Sequence, residues 1–145
     1  MTKTLHTIEG KWTGYLKYDK GFPLQFQARY VAFTMNISCK DGVISGIWVD
    51  EHTEHFNLEP STFTGTFDGV AINFEKTRPL SPSLEHIKIK IKDISPALYS
   101  GQLRKKLFSS AYYFKGKCSN TLKFTNKMGK DVTRELYGLW KMKRE

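Results

Sequence analysis

Two arginines in this 145-residue chain stand where an anion could be held. Arg29 shares a period-two face with Val31, Phe33, Met35 and Ile37, and Arg134 shares one with Leu136, Gly138 and Trp140. A guanidinium presents a rigid fork of donors that matches a carboxylate or phosphate. Buried without such a partner it is costly. If both faces point inward, the expected site is a lumen for an anionic amphiphile. Arg29 and Arg134 then meet its head group, and Trp48, Tyr112 and Phe114 run along its body. The competing reading leaves both arginines near strand ends, in solvent or paired with carboxylates.

A second kind of chemistry comes from charge. The net charge is +9, divided as −2 over residues 1–72 and +11 over residues 73–145. Lys88, Lys90, Lys92, Lys115 and Lys117 alternate with apolar or small residues, and Arg104, Lys105 and Lys106 form a run. Placed outward on neighbouring strands, these cations would form a wall suited to phosphate contacts with nucleic acid or an anionic lipid surface. Tyr113 and Phe124 would be available to stack bases. The plainer alternative is a solubility surface whose lysines protect sheet edges.

Other constellations are weaker. Glu51, His52, Glu54 and His55 put four potential metal ligands in five residues, but the helical spacing of a metalloprotease is missing. A solvated loop is expected there, with no metal. Cys39 and Cys118 are far apart, with no Cys-x-x-Cys pair. The chain has no nucleophile elbow, phosphate loop or dinucleotide fingerprint, so no catalytic residue and no cofactor is expected.

The elements that must carry these residues are strands. Period-two alternation runs through residues 11–18, 25–38, 43–50, 62–67, 70–75, 86–92, 98–103, 109–117 and 131–143, with shorter candidates at 55–58 and 120–124. Asp41-Gly42 and Asp68-Gly69 lie between alternating runs, which is hairpin chemistry. Residues 77–85, with Pro79 and Pro82, read as a connection, and 93–97 and 104–106 as turns. Residues 95–107 carry a partial helical pattern interrupted by Gly101, the one helical alternative to a strand. Eight to ten short strands in sequential hairpins predict an all-β meander. Closure into an antiparallel barrel hides its edges, and two packed sheets are the structural alternative. The length fits a single domain over 1–145. No run is long enough for a transmembrane segment, and residues 1–8 have no apolar leader core. Free thiols and a cytoplasmic location are therefore expected.

Ile8-Glu9-Gly10-Lys11-Trp12-Thr13-Gly14 resembles the Gly-x-Trp opening of calycin barrels, the group that includes lipocalins, intracellular fatty-acid-binding proteins and avidins. Tyr137-Gly138-Leu139-Trp140-Lys141-Met142-Lys143-Arg144 is similar to their last strand. Tyr99-Ser100-Gly101-Gln102 resembles a Trp-Ser-Gly-Gln stretch of bacterial avidins. The resemblance implies a barrel in which Trp12 and Trp140 lie on paired strands and Arg144 or Lys143 covers Trp12. The chain lacks the two helices and the Arg-x-Tyr clamp of fatty-acid-binding proteins. It also lacks the ring of tryptophans with which avidins enclose biotin. The resemblance thus implies a fold and no particular ligand. The leading expectation is a non-enzymatic barrel holding a small, mostly apolar and optionally anionic molecule. The alternative is a polyanion- or protein-binding module that uses the basic outer wall.

Overall fold

The computed structural model describes residues 8–20, 29–51, 59–77, 90–94, 96–109, 111–126 and 128–145. The strands are β1 (Gly10–Tyr18), β2 (Tyr30–Lys40), β3 (Val43–Asp50), β4 (Ser61–Phe67), β5 (Ala71–Thr77), β6 (Lys90–Ile94), β7 (Ala97–Lys105), β8 (Tyr112–Thr125) and β9 (Asp131–Arg144). Eight of them close into an antiparallel barrel in the order β8-β7-β5-β4-β3-β2-β1-β9, with β9 returning to β8. The β1–β9 seam pairs Trp12 with Arg144 and Leu16 with Trp140. This closure excludes two separate packed sheets.

β6 is an addition to the barrel. β8 and β9 are 14 residues each and pair beyond the end of β1, whose Tyr18 lies opposite Gly138. β6 pairs with the outer part of β8, Ile94 opposite Leu122, on the edge that β7 occupies further along.

The turns follow their local chemistry. Asp41 (φ 52°) and Gly42 (φ 78°) both occupy the left-handed region that a tight two-residue hairpin turn requires. At Asp68-Gly69 the Asp68 carboxylate accepts from the backbone N–H groups of Val70 (2.9 Å) and Ala71 (2.7 Å). These bonds hold its pKa below the ordinary value of 3.8.

Several boundaries differ from expectation. Residues 97–105 are strand, because β5 and β8 hydrogen-bond both edges and Tyr99 and Leu103 face inward. Two flanking ladders outweigh a partial helical period. Residues 120–124 continue β8 instead of forming a separate strand, and β8 begins at Tyr112, which places the turn at residues 106–111. The break between β6 and β7 is only two residues, 95 and 96. The expected strand at 55–58, most of the connection at 77–85 and residues 86–89 lie outside the described residues.

Inward alternation fills the barrel with aromatic rings. Trp12, Trp48, Trp140, Phe63 and Phe114 are fully buried. Phe33 stacks on Trp48 (3.9 Å) and Phe74 on Tyr99 (4.8 Å), while Trp12 packs on Phe114 (5.0 Å). Gly101 makes room for this: a Cβ there would stand 2.6 Å from Cζ2 of Trp140. Each indole N–H is used internally. Trp12 donates to the Ile8 carbonyl (2.8 Å), Trp48 to Asp50 Oδ2 (3.1 Å) and Trp140 to the Lys117 carbonyl (3.0 Å). No helix of the described residues is long and apolar enough to cross a membrane.

Candidate polyanion-binding face

The outward positions of β7, β8, β9, β1 and β2 form three cross-strand rows. The first runs Arg104, Tyr113, Lys143, Thr13, Thr34. The second runs Gln102, Lys115, Lys141, Tyr15, Ala32. The third runs Ser100, Lys117, Leu139, Lys17, Tyr30. Barrel closure creates this grid, since β9 brings Lys141 and Lys143 between the lysines of β8 and Tyr15 of β1.

The rows contain six cations and no carboxylate. Lys115 lies directly opposite Lys141, an arrangement that destabilises an antiparallel pair. Among the described residues, no carboxylate stands within ion-pair distance of Lys17, Arg104, Lys115, Lys117, Lys141 or Lys143. Two of these lysines rest on tyrosine rings instead: Lys141 lies 4.6 Å from the Tyr113 centroid and Lys17 5.9 Å from that of Tyr30. Carboxylates reappear at the margins. Glu51 accepts from the Ala32 N–H (3.2 Å), and further along the β8–β9 hairpin Thr121 donates to Glu135 (2.8 Å).

A groove of about 810 Å³ crosses the first two rows. Thr13, Tyr15, Thr34, Val49, Asp50 and Glu51 line it from β1, β2 and the end of β3, Lys141 and Lys143 from β9, and Lys106, Leu107 and Tyr112 from the β7–β8 turn. Its lining combines the cations Lys106, Lys141 and Lys143 and three phenol rings with the acidic residues Asp50 and Glu51, so the cationic part that suits phosphate oxygens is the part formed by β8, β9 and the β7–β8 turn.

The residues expected to line a lumen are dispersed. Trp48 and Phe114 are core packing residues. Tyr112 is half-buried and faces the groove end. Arg29 and Arg134 are both exposed. Alternation alone sets the face a residue takes, and both arginines lie at its limits. Arg29 precedes β2, where its carbonyl accepts from the Tyr18 N–H (3.1 Å). Arg134 lies on the part of β9 beyond the end of β1. Over Trp12 it is Arg144 that lies 5.2 Å from the ring. Of the expected outer cations, Lys115 and Lys117 are exposed on the wall. Lys88 lies outside the described residues, as do the side chains of Lys90 and Lys92.

Sequence reasoning missed the charges that do enter the lumen. Lys76 is buried on β5, its Nζ donating to Tyr99 Oη (2.8 Å) and lying 3.9 Å from the Trp48 ring centroid. Asp50 is also buried, and accepts the bond from the same Trp48 indole already described. Cys118 packs against the same core, where burial pushes its thiol up to about 11, an effect that the positive charge of Lys76 partly opposes. The available signal was a charge on an otherwise apolar alternation: Lys76 follows Ile72 and Phe74, and Asp50 follows Ile44 and Trp48. Rings facing an ammonium offset part of its desolvation, so Lys76 and its neighbours act as a packed polar layer inside the barrel.

Fold and face together define a closed eight-stranded antiparallel barrel with aromatic rings packed in its interior and a cationic surface over β7, β8, β9 and β1. No protein-family model matches the chain, and no curated protein matches it.

Proposed function

We propose that this protein is a non-enzymatic binding module that engages a polyanion through the outer wall of β7, β8, β9 and β1. One observation carries the reading: Lys115 and Lys141 oppose each other, and among the described residues no carboxylate stands within ion-pair distance of either. A wall evolved only for solubility would intersperse acids, because mixed signs keep a protein soluble without the repulsion. A ligand rich in phosphate or sulfate relieves that repulsion, and its bound counterions are released as it docks. The tyrosines in the grid add flat surfaces beside the cations.

The calycin likeness belongs to the same reading at the level of fold. It is supported by the Gly10-Lys11-Trp12 opening, the eight-stranded order and the position of Arg144 over Trp12. Binding of a small amphiphile in the lumen is the second reading, favoured by the inward charge of Lys76. It ranks lower because stacked rings occupy the space and all three indole N–H groups are engaged.

Heparin chromatography across a salt gradient tests the first reading. The wild-type chain should be retained, and the triple variant Lys115→Glu, Lys117→Glu, Lys141→Glu should elute at much lower salt. Equal retention of the two proteins contradicts the proposal.

A further inference from the structure

The turn between β7 and β8 carries a feature that a polyanion site does not require. Leu107 is 79% exposed and Phe108 is 99% exposed. Single exposed apolar residues are ordinary on a protein surface. Two consecutive large ones at a hairpin tip, directly after Arg104-Lys105-Lys106, are a different pattern. Phe108 also has φ 59°, in the left-handed region where a bulky residue is a genuine outlier. A glycine or asparagine would fill that position with less strain, so the large ring is there for something other than the turn.

The turn is braced. The N–H of Lys106 donates to the Ala111 carbonyl (2.8 Å), that of Ser109 to the Lys106 carbonyl (3.2 Å), and that of Ala111 to Ser109 Oγ (3.1 Å). β7 and β8 are paired up to Lys105 opposite Tyr112, so the apolar tip stands on a rigid ladder.

We propose that the polyanion is the surface of an anionic lipid bilayer, and that Leu107 and Phe108 are the residues that enter it. This rests on the polyanion reading of the outer wall and names its partner. With the tip lodged about 5–10 Å into the headgroup and acyl boundary, Lys105 and Lys106 lie at phosphate level. Lys141 and Lys143, which flank the groove that ends at Leu107, follow behind them. Tyr112 and Tyr113, at the base of the turn, have the amphipathic rings favoured at a membrane interface. Of the acids at this end of the barrel, Asp41 lies in the β2–β3 hairpin on the far side, Asp68 lies in the β4–β5 turn that borders β7, where the Leu103 N–H donates to the Val70 carbonyl (2.7 Å), and Glu145, just past β9, is paired with Lys11 (3.0 Å). Lys105, Lys106, Lys141 and Lys143 outnumber these acids on the docking side, and the one at the end of β9 is neutralised by Lys11. A single-stranded nucleic acid would use the tyrosines and lysines but would give Leu107 no role, which is why the bilayer is favoured.

The test uses the full chain and sedimented vesicles of phosphatidylcholine, with or without one-third phosphatidylserine. The wild-type protein should co-sediment with the anionic vesicles and not with the neutral ones. Leu107→Ser with Phe108→Ser should weaken that partitioning about tenfold or more, while Tm stays unchanged because both side chains are exposed; Phe108→Ser alone, at a residue that does not line the groove, should weaken it in the same direction and leave heparin retention unchanged. A Phe108→Trp variant should gain fluorescence that brominated lipid quenches in anionic vesicles. Undiminished vesicle binding by the double serine variant, or no quenching of the tryptophan variant, overturns insertion of the tip. Retention on heparin or a single-stranded oligonucleotide without vesicle binding overturns the bilayer and leaves the polyanion reading standing. Loss of every one of these interactions in the wild-type protein overturns both.

Discussion

Lys115→Glu separates the energetic cost of the basic wall from its use. Lys115 and Lys141 are a directly opposed antiparallel pair on a solvent-facing surface. Side chains in such pairs start about 4.5–5.5 Å apart at Cβ. Two unit charges about 5 Å apart in water repel by about 0.8 kcal/mol, and physiological salt roughly halves that. Reversing one charge removes the penalty and adds an attraction of similar size. The substitution should therefore stabilise the fold by roughly 0.5–1 kcal/mol, an upper range because long exposed side chains splay apart. Lys141 keeps its place over Tyr113, so no ring contact is lost. For a domain of this length the gain corresponds to roughly 1–4 °C in Tm. Thermal unfolding followed by circular dichroism reads it. In about 1 M salt, where the screening length is ~3 Å, the gain should vanish. The same variant should bind heparin more weakly. A lower Tm, or a gain that survives high salt, refutes the electrostatic reasoning.

Three further outcomes follow from the interior and the turns. Gly101→Ala drives a Cβ toward the Trp140 ring and the Lys115 carbonyl, and should cost about 1–3 kcal/mol through overpacking, read as a Tm several degrees lower. The Cys118 thiol, held near 11 instead of 9.0, should react with a thiol reagent at pH 8 roughly a hundredfold slower than an unperturbed cysteine and accelerate only toward its raised pKa; a rate matching a free thiol would contradict its burial. Asp68 has a folded pKa below its unfolded value, so its stabilising effect is present above about pH 4 and is lost as pH falls through the folded value. Asp68→Ala should therefore lower Tm at neutral pH, and its difference from wild type should close in acid.

Much of the architecture was legible because it is local. Period-two alternation and the two Asp-Gly steps specify hairpins within a few residues, and the structure places Asp41-Gly42 in the turn geometry those residues favour. The Trp12 and Trp140 strands were identifiable as partners only through resemblance, and they do pair across the seam. What was not legible depends on where a strand stops and on what packs across the lumen. Arg29 and Arg134 obey the alternation of an inward face yet lie beyond the wall, and no single-strand pattern reveals that end. Lys76 and Asp50 obey it and are buried. The fit of Gly101 under Trp140 joins β7 to β9, which are distant in sequence and share only a neighbour in the sheet. The wall itself was half visible: the lysines of β8 were recognised, but only closure sets Lys17, Lys141 and Lys143 beside them.

Backbone amide chemical shifts of the protein titrated with inorganic polyphosphate measure the central claim most directly. Perturbations are expected at Tyr15, Lys17, residues 113–117 and residues 139–143. Shifts confined to Asp50, Lys76 and Tyr99 in the barrel interior, or to the outward residues of β4 and β5, would contradict it.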